Sequence, residues 1–303
     1  MGLSNQGLLI AAPAKLNLFL ELLGKRGDGF HELETIMCKI ALYDYLRFSA
    51  TVDDQITIDV QIHPRLGNVR IPTDQTNLAC KALRVMLSLA GKQAGANIRL
   101  YKNIPIEAGL GGASANAAAA LIAGNLIWEL GWSKTRLMQI AEQIGSDVAF
   151  FLGGDFSRCT GRGGQVHNLN YPRRLNVVVV KPSHGFSTKA IYARCEVPKQ
   201  PITSDTILSG LQSGSASKIG GALFNRLAQF AEYEHDDILK LRSEFDKTNS
   251  VGHQLTGSGS CYFGIYNSAK AMKTAAKKLV SRLPEMQVFT SHSLNSRRYS
   301  SVN

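Results

Sequence analysis

Four short stretches carry residue types that could do chemistry. The first is Ile104–Leu121, where a proline turn runs into Gly109, Gly111 and Gly112 and then an alanine-rich segment. Glycines let backbone N–H groups approach an anion closely, and a following helix aims its unsatisfied N–H groups and positive dipole end at the same spot. Ser114 and Asn116 could add side-chain donors. The stretch also reads as a tight turn before a helix that packs on small residues. It is no Walker A loop, because no Gly-Lys-Ser/Thr ends it, and no acidic residue stands where a dinucleotide fingerprint needs one. The second feature is Lys15 with Asn17, which share one face of an alternating segment while Leu16 and Leu18 occupy the other. A lysine there needs a partner for its charge or must snorkel from an edge. The third is Asp147 in Gly145–Val148, where a helix cap is the ordinary explanation. The fourth is Thr256–Ser260, a second glycine loop with three hydroxyls, which also reads as a turn into a strand. A lysine and an aspartate beside a phosphate loop suit phosphoryl transfer. The carboxylate orients the acceptor hydroxyl, and the ammonium offsets charge on the moving group.

The elements that must position these residues follow from periodicity. Period-two alternation predicts strands over about 9–23 and 55–62, with 31–40, 98–102, 175–180, 261–266 and 286–290 as further strands. Residues 157–160 read as an edge strand before the Gly161–Gly164 turn. Helices are predicted over about 78–91 (capped by Thr76 or Asn77), 113–129, 134–144, 218–231, 236–247 and 268–282. A short helix or turn opens at Gly145-Ser146-Asp147, and no internal repeat is visible. The pattern restarts around Asn168–Arg174, which puts a boundary near residue 165 and gives an N-terminal domain 1–165 and a C-terminal domain 166–303. The tail Ser296–Asn303 reads as unanchored.

Composition sets outer limits. The 303 residues, 44% apolar and 8% aromatic, suit an α+β chain of two domains with a sizeable core. Five scattered cysteines without a C-x-x-C pair suggest neither a disulfide framework nor zinc. The net charge of +11 is dispersed, which favours small polyanions over nucleic acid. No run reaches the ~18 apolar residues of a membrane span. Leu8–Leu23 is no signal peptide, because Pro13, Lys15 and Asn17 interrupt it, and Gln6 spoils a myristoylation signal. A cytoplasmic protein, with no membrane partner, is expected.

Pro13–Thr35, Ile104–Ala118, Ile144–Gly154 and Leu255–Ser260 occur in this order over nearly the whole chain. Together they resemble the GHMP kinase superfamily. Within it they look like the branch that phosphorylates the 2-hydroxyl of a cytidine-diphosphate-linked methylerythritol, with ATP and Mg²⁺, on the non-mevalonate route to isoprenoids. Three points select the branch: the Gly24–Thr35 extension, a central loop reading GLGG-x-S, and Asp147, which homoserine kinases do not match. The resemblance implies a two-domain α+β fold, with a ribosomal-protein-like N-terminal half, a ferredoxin-like C-terminal half and a cleft between them. It implies Lys15 and Asp147 as the catalytic pair. Asn77, Lys102, Pro105, Gly109, Leu110, Gly111, Gly112, Ala113 and Ser114 would bind ATP, with Ser114 a weak candidate for the metal. Asn17, Phe30, His31, Thr188, Tyr192, Gly257, Ser258 and Gly259 would bind the substrate. His31 would read the cytosine edge while Phe30 and Tyr192 sandwich the base. A monomer or weak homodimer is expected. Phe30 stands where tyrosine is usual, Glu107 where a small residue is expected, and Ala113 and Ala115 where Gly and Ser or Asp are common. Glu107 should therefore face solvent, away from phosphate. The competing readings are a homoserine or mevalonate-type kinase, and a nucleic-acid binder that would show a steep salt slope.

Overall fold

Strands β1 (Leu8–Lys25) and β2 (His31–Thr51) are long and neighbour each other. They open a computed structural model that describes residues 7–171 and 173–295. The expected tail 296–303 lies outside the described residues. The remaining strands are β3 (Ile56–Ile62), β4 (Gly95–Lys102), β5 (Phe156–Gly161), β6 (Gln165–Leu169), β7 (Asn176–Lys181), β8 (Phe224–Asn225), β9 (Gly252–Leu255), β10 (Tyr262–Tyr266) and β11 (Gln287–His292). The helices are α1 (Leu78–Ala90), α2 (Gly112–Ile127), α3 (Lys134–Ile144), α4 (Val148–Leu152), α5 (Thr188–Arg194), α6 (Asp205–Ser213), α7 (Ala216–Gly221), α8 (Ala228–Glu234), α9 (Asp236–Asp246) and α10 (Ala269–Arg282). The chain forms two compact units: 1–14, 42–105 and 111–153 make the first, and 15–41, 106–110 and 154–303 the second. Because β1 and β2 each run from one unit into the other, no single cut separates them. The expected division at residue 165 falls inside the β5–β6 hairpin, within the second unit.

In the first unit β3 runs parallel to β4 through α1, and β4 pairs antiparallel with Tyr45–Thr51 of β2. Helix α1 has matched ends. The Asn77 side chain accepts from the Ala79 N–H, and Gly91 closes the helix in the left-handed region at φ 59°. Alanine-rich α2 is buried on nearly every side, and its small residues let it lie close to α1. A side chain at Gly124 would meet Leu83 and Met86 within 3.0 Å.

The second unit holds the four-stranded antiparallel sheet β11-β7-β10-β9. Val178, Val180, Tyr262 and Tyr266 from this sheet share a core with Leu241 and Phe245 of α9 and Ala275 and Leu279 of α10. Here β8 pairs parallel with β1, and β5 pairs with both β2 and β6. Strand β5 is therefore interior, not the expected edge. The helix expected over 218–231 is broken into α7, β8 and α8, since Gly220-Gly221 ends the first piece. At Gly220 a Cβ would stand 2.3 Å from the Val251 carbonyl oxygen, so the backbone there packs too closely for any side chain. All five cysteines are buried and outside any disulfide, and no described helix is long and apolar enough to cross a membrane.

One buried acid in β1 went unnoticed in the apolar pattern. Glu21 is fully buried and takes both the Arg226 Nε (2.7 Å) and Nη2 (2.6 Å), with the Leu22 and Ile202 N–H groups completing its shell. Burial alone would raise its carboxyl, but these donors outweigh it and hold it below its ordinary 4.5. A depressed carboxyl stabilises the fold above its unfolded value and loses that contribution as pH falls through the folded value. Glu21→Gln should cost about 1–3 kcal/mol at pH 7. The gap from the parent should close as pH drops below about 4.5. Urea midpoints measured from pH 7 to pH 3 check this, and a gap that stays constant contradicts it.

Candidate active site

The second unit holds Lys15 and its partners. Residues 14–22 of β1 are buried throughout, so Lys15 (4% exposed) is no snorkelling edge residue. Its Nζ lies 2.5 Å from Asn17 Oδ1. The Asn17 Nδ2 donates to Thr35 Oγ1 at 2.9 Å, and the Asn17 backbone N–H donates to Thr256 Oγ1 at 3.0 Å. Thr35 was missed as a site residue, and Thr256 stood only as one hydroxyl of the second glycine loop. Nothing in the sequence joins either to Asn17, and only the fold brings them there.

Two glycines of the expected loops fit here. Gly109 has φ +69°, and a Cβ would stand 2.0 Å from the Thr256 carbonyl oxygen. Gly257 has φ +58°, and its Cβ would press on Asn17 Oδ1 (3.2 Å) and Lys15 Nζ (3.3 Å). The loops 106–110 and 256–260 are tied by backbone bonds from Ser260 and Cys261 to the Glu107 and Ala108 carbonyls. Leu110 accepts from the Lys15 N–H at 2.9 Å. Asn225 Nδ2 braces the second loop at the Leu255 and Gly257 carbonyls. Ser258 and Thr188 share a hydrogen bond of 2.9 Å, while the Gly259 position packs against the Phe186 ring. Glu107 is exposed, as expected.

The residues expected at the base also lie in this unit. The His31 and Tyr192 rings are 5.6 Å apart and tilted. Burial, then Lys25, holds the His31 imidazole below its ordinary 6.5, so the ring is neutral at pH 7 and offers one donor and one acceptor. Phe30 is 48% exposed, and the Arg162 guanidinium sits 3.6 Å over its ring centre. Arg162, in the β5–β6 turn, was not foreseen as a neighbour of the base position.

The first unit carries Asn77, Lys102, Pro105, Gly111, Gly112, Ala113, Ser114 and Asp147. Gly111 stands at the start of α2 with φ +70°, which opens the loop into the helix. Ala113 is exposed and Ser114 half-buried in the first turn of α2. Asn116 is buried, and its Oδ1 has no hydrogen-bond partner among the described residues. Asn77 spends its side chain on structure, capping α1 with Oδ1 and donating Nδ2 to the Pro72 carbonyl at 2.8 Å. Lys102 is likewise engaged, at 2.7 Å from Asp44 Oδ2 and 2.5 Å from the Ile104 carbonyl. Burial pulls its ammonium below the ordinary 10.5 despite the Asp44 charge. Asp147 stands at the N-cap position of α4, yet its side chain makes no cap hydrogen bond. The capping explanation for this aspartate therefore fails.

The family described as GHMP kinases N terminal domain matches residues 77–155. The 4-diphosphocytidyl-2-C-methyl-D-erythritol kinase of Pelotomaculum thermopropionicum is 34% identical over 288 residues, covering 94% of this chain and 98% of its own. The chain belongs to the 4-diphosphocytidyl-2-C-methyl-D-erythritol kinase family. A crystal structure of a 4-(cytidine 5'-diphospho)-2C-methyl-D-erythritol kinase, 26% identical, superposes with a TM-score of 0.77 over 95% of this chain and all of its own. A homoserine kinase from Cytophaga hutchinsonii reaches a TM-score of 0.74 at 19% identity, covering 97% of this chain and 96% of its own. That likeness shows the shared α+β GHMP kinase fold alone, so the kinase family rests on the first two.

Proposed function

We propose that this chain transfers the γ-phosphoryl group of ATP to the 2-hydroxyl of 4-diphosphocytidyl-2-C-methyl-D-erythritol. The observation that carries the reading is the buried Lys15, held by Asn17 against a glycine at 257, in a chain that matches a member of this kinase family over 94% of its length. Burying an ammonium is costly, and a site that must offset phosphoryl charge gives the cost a reason. Asp147 takes the acceptor proton as the new O–P bond forms and the bond to the ADP oxygen breaks. Lys15 stabilises the charge on the moving group. The loop from Gly109 to Ser114 lends backbone N–H groups to the phosphates. The neutral His31 reads the cytosine edge, Phe30 and Tyr192 flank the base, and Thr188, Ser258 and Gly259 line the substrate.

Mg²⁺, when bound with ATP, would neutralise developing charge. The half-buried Ser114 hydroxyl in the first turn of α2 would be the protein oxygen offered to it. We place the enzyme in the cytoplasm, as a monomer or weak homodimer without nucleic acid. The test is ADP release with Mg-ATP and the cytidine substrate, beside homoserine and mevalonate. Turnover with the cytidine substrate alone supports the reading. Turnover only with either of the others, or with none, overturns it.

A further inference from the structure

Thr35 lies in β2, buried, with Oγ1 2.7 Å from the Phe19 carbonyl oxygen and 2.9 Å from Asn17 Nδ2. A hydroxyl has one proton and two lone pairs. A carbonyl oxygen only accepts, so the Thr35 proton is committed to Phe19. Toward Asn17 the hydroxyl can then only accept, and it requires the NH₂ end of the amide. The Lys15 ammonium only donates, so it requires the oxygen end. Turning the Asn17 amide over would set NH₂ against the ammonium and the carbonyl against the Thr35 lone pair. Both contacts would then repel, among side chains that are all buried.

We propose that Thr35 is a positioning residue for the phosphoryl transfer: its hydroxyl fixes which end of Asn17 faces Lys15, and so holds the ammonium in place. This assignment rests on the kinase reading above. The β-branched side chain is stiff about χ1 and pinned at Phe19, so it makes a fixed acceptor. Thr256 cannot substitute for it. Its hydroxyl already accepts from the Asn17 N–H and has Oδ1 (3.3 Å) or the Gly109 carbonyl (3.5 Å) for its own proton, so it touches the oxygen end alone.

The test compares Thr35→Val, which keeps the shape and removes the hydroxyl, with Thr35→Ser, which keeps the hydroxyl. Thr35→Val should lower kcat about tenfold or more. Both KM values should stay within about twofold, because neither substrate loses a contact. Thr35→Ser should retain kcat within about twofold of the parent. In the Asn17→Ala background no amide remains to be oriented, so Thr35→Val should cost nothing further. Thr35→Cys, a weak acceptor of similar size, replaces Thr35→Val in these comparisons should the valine variant not fold, and its kcat should fall below the parent's with both KM values kept. A silent parent overturns the kinase reading and this assignment with it. An active parent with undiminished kcat in the hydroxyl-free variant overturns the Thr35 assignment alone. So does a loss that is equal in the Asn17→Ala background.

Discussion

Asp147→Asn is expected to lower kcat by about two to four orders of magnitude, the range for losing a positioned base. The asparagine keeps size and hydrogen bonding but can neither take a proton nor carry charge. Thermal stability should barely change, because the asparagine matches the aspartate in size and the buried residues 148–152 hold α4 in place. The two readouts together decide the matter. A lost kcat with an unchanged melting midpoint assigns the carboxylate to chemistry. Near-normal turnover removes Asp147 from the reaction, and a large fall in stability with intact turnover returns it to a structural role. Single-turnover quenched-flow measurements separate the chemical step from product release.

The largest expected effect on stability is at Lys102. Its ammonium meets Asp44, a fully buried carboxylate whose other oxygen accepts from the Asn103 and Ile104 N–H groups. Lys102→Met leaves that carboxylate buried without its cation, which should cost about 3–5 kcal/mol. Combining it with Asp44→Asn removes the orphaned charge and should recover a large part of the loss. Urea denaturation of the two variants checks both statements, and a single-variant cost below about 1 kcal/mol contradicts them. The same pair of proteins separates two roles for Lys102. A direct contact to ATP would leave KM for ATP raised in both variants. A role in holding the chain at Ile104, where β4 turns toward the glycine loop, would let KM recover as stability does.

The sequence made the local framework readable because local rules wrote it. Period-two alternation located β1 and β3, and the Asn77 cap and the αL glycine at 91 bounded α1. The four motifs supplied the candidate site residues, since glycine, lysine and aspartate at those spacings are costly choices without a function. What stayed hidden depends on tertiary pairing. Glu21 looked like one polar residue in an apolar strand until Arg226, 205 positions away, supplied its partner. Strand β5 looked like an edge because nothing nearby in sequence marks its pairing with β2. Thr35 and Thr256 carry no pattern of their own, and their meaning lies in which atom of Asn17 each one faces. The long helix expected over 218–231 failed for a similar reason, since the approach of Gly220 to Val251 is a long-range constraint.

The bond between Asn17 and Thr256 spans 239 residues. Loop closure of that length is slow, and a ribosome makes the chain from its N-terminus. The Lys15 centre therefore cannot assemble while the protein is being synthesised, until residue 257 has left the exit tunnel. Phosphoryl-transfer competence is in this sense a property acquired only once residue 257 has emerged. A chain that stalls or is cut before that point leaves β1 with a lysine and an asparagine among apolar neighbours and none of the loop that gives them a purpose.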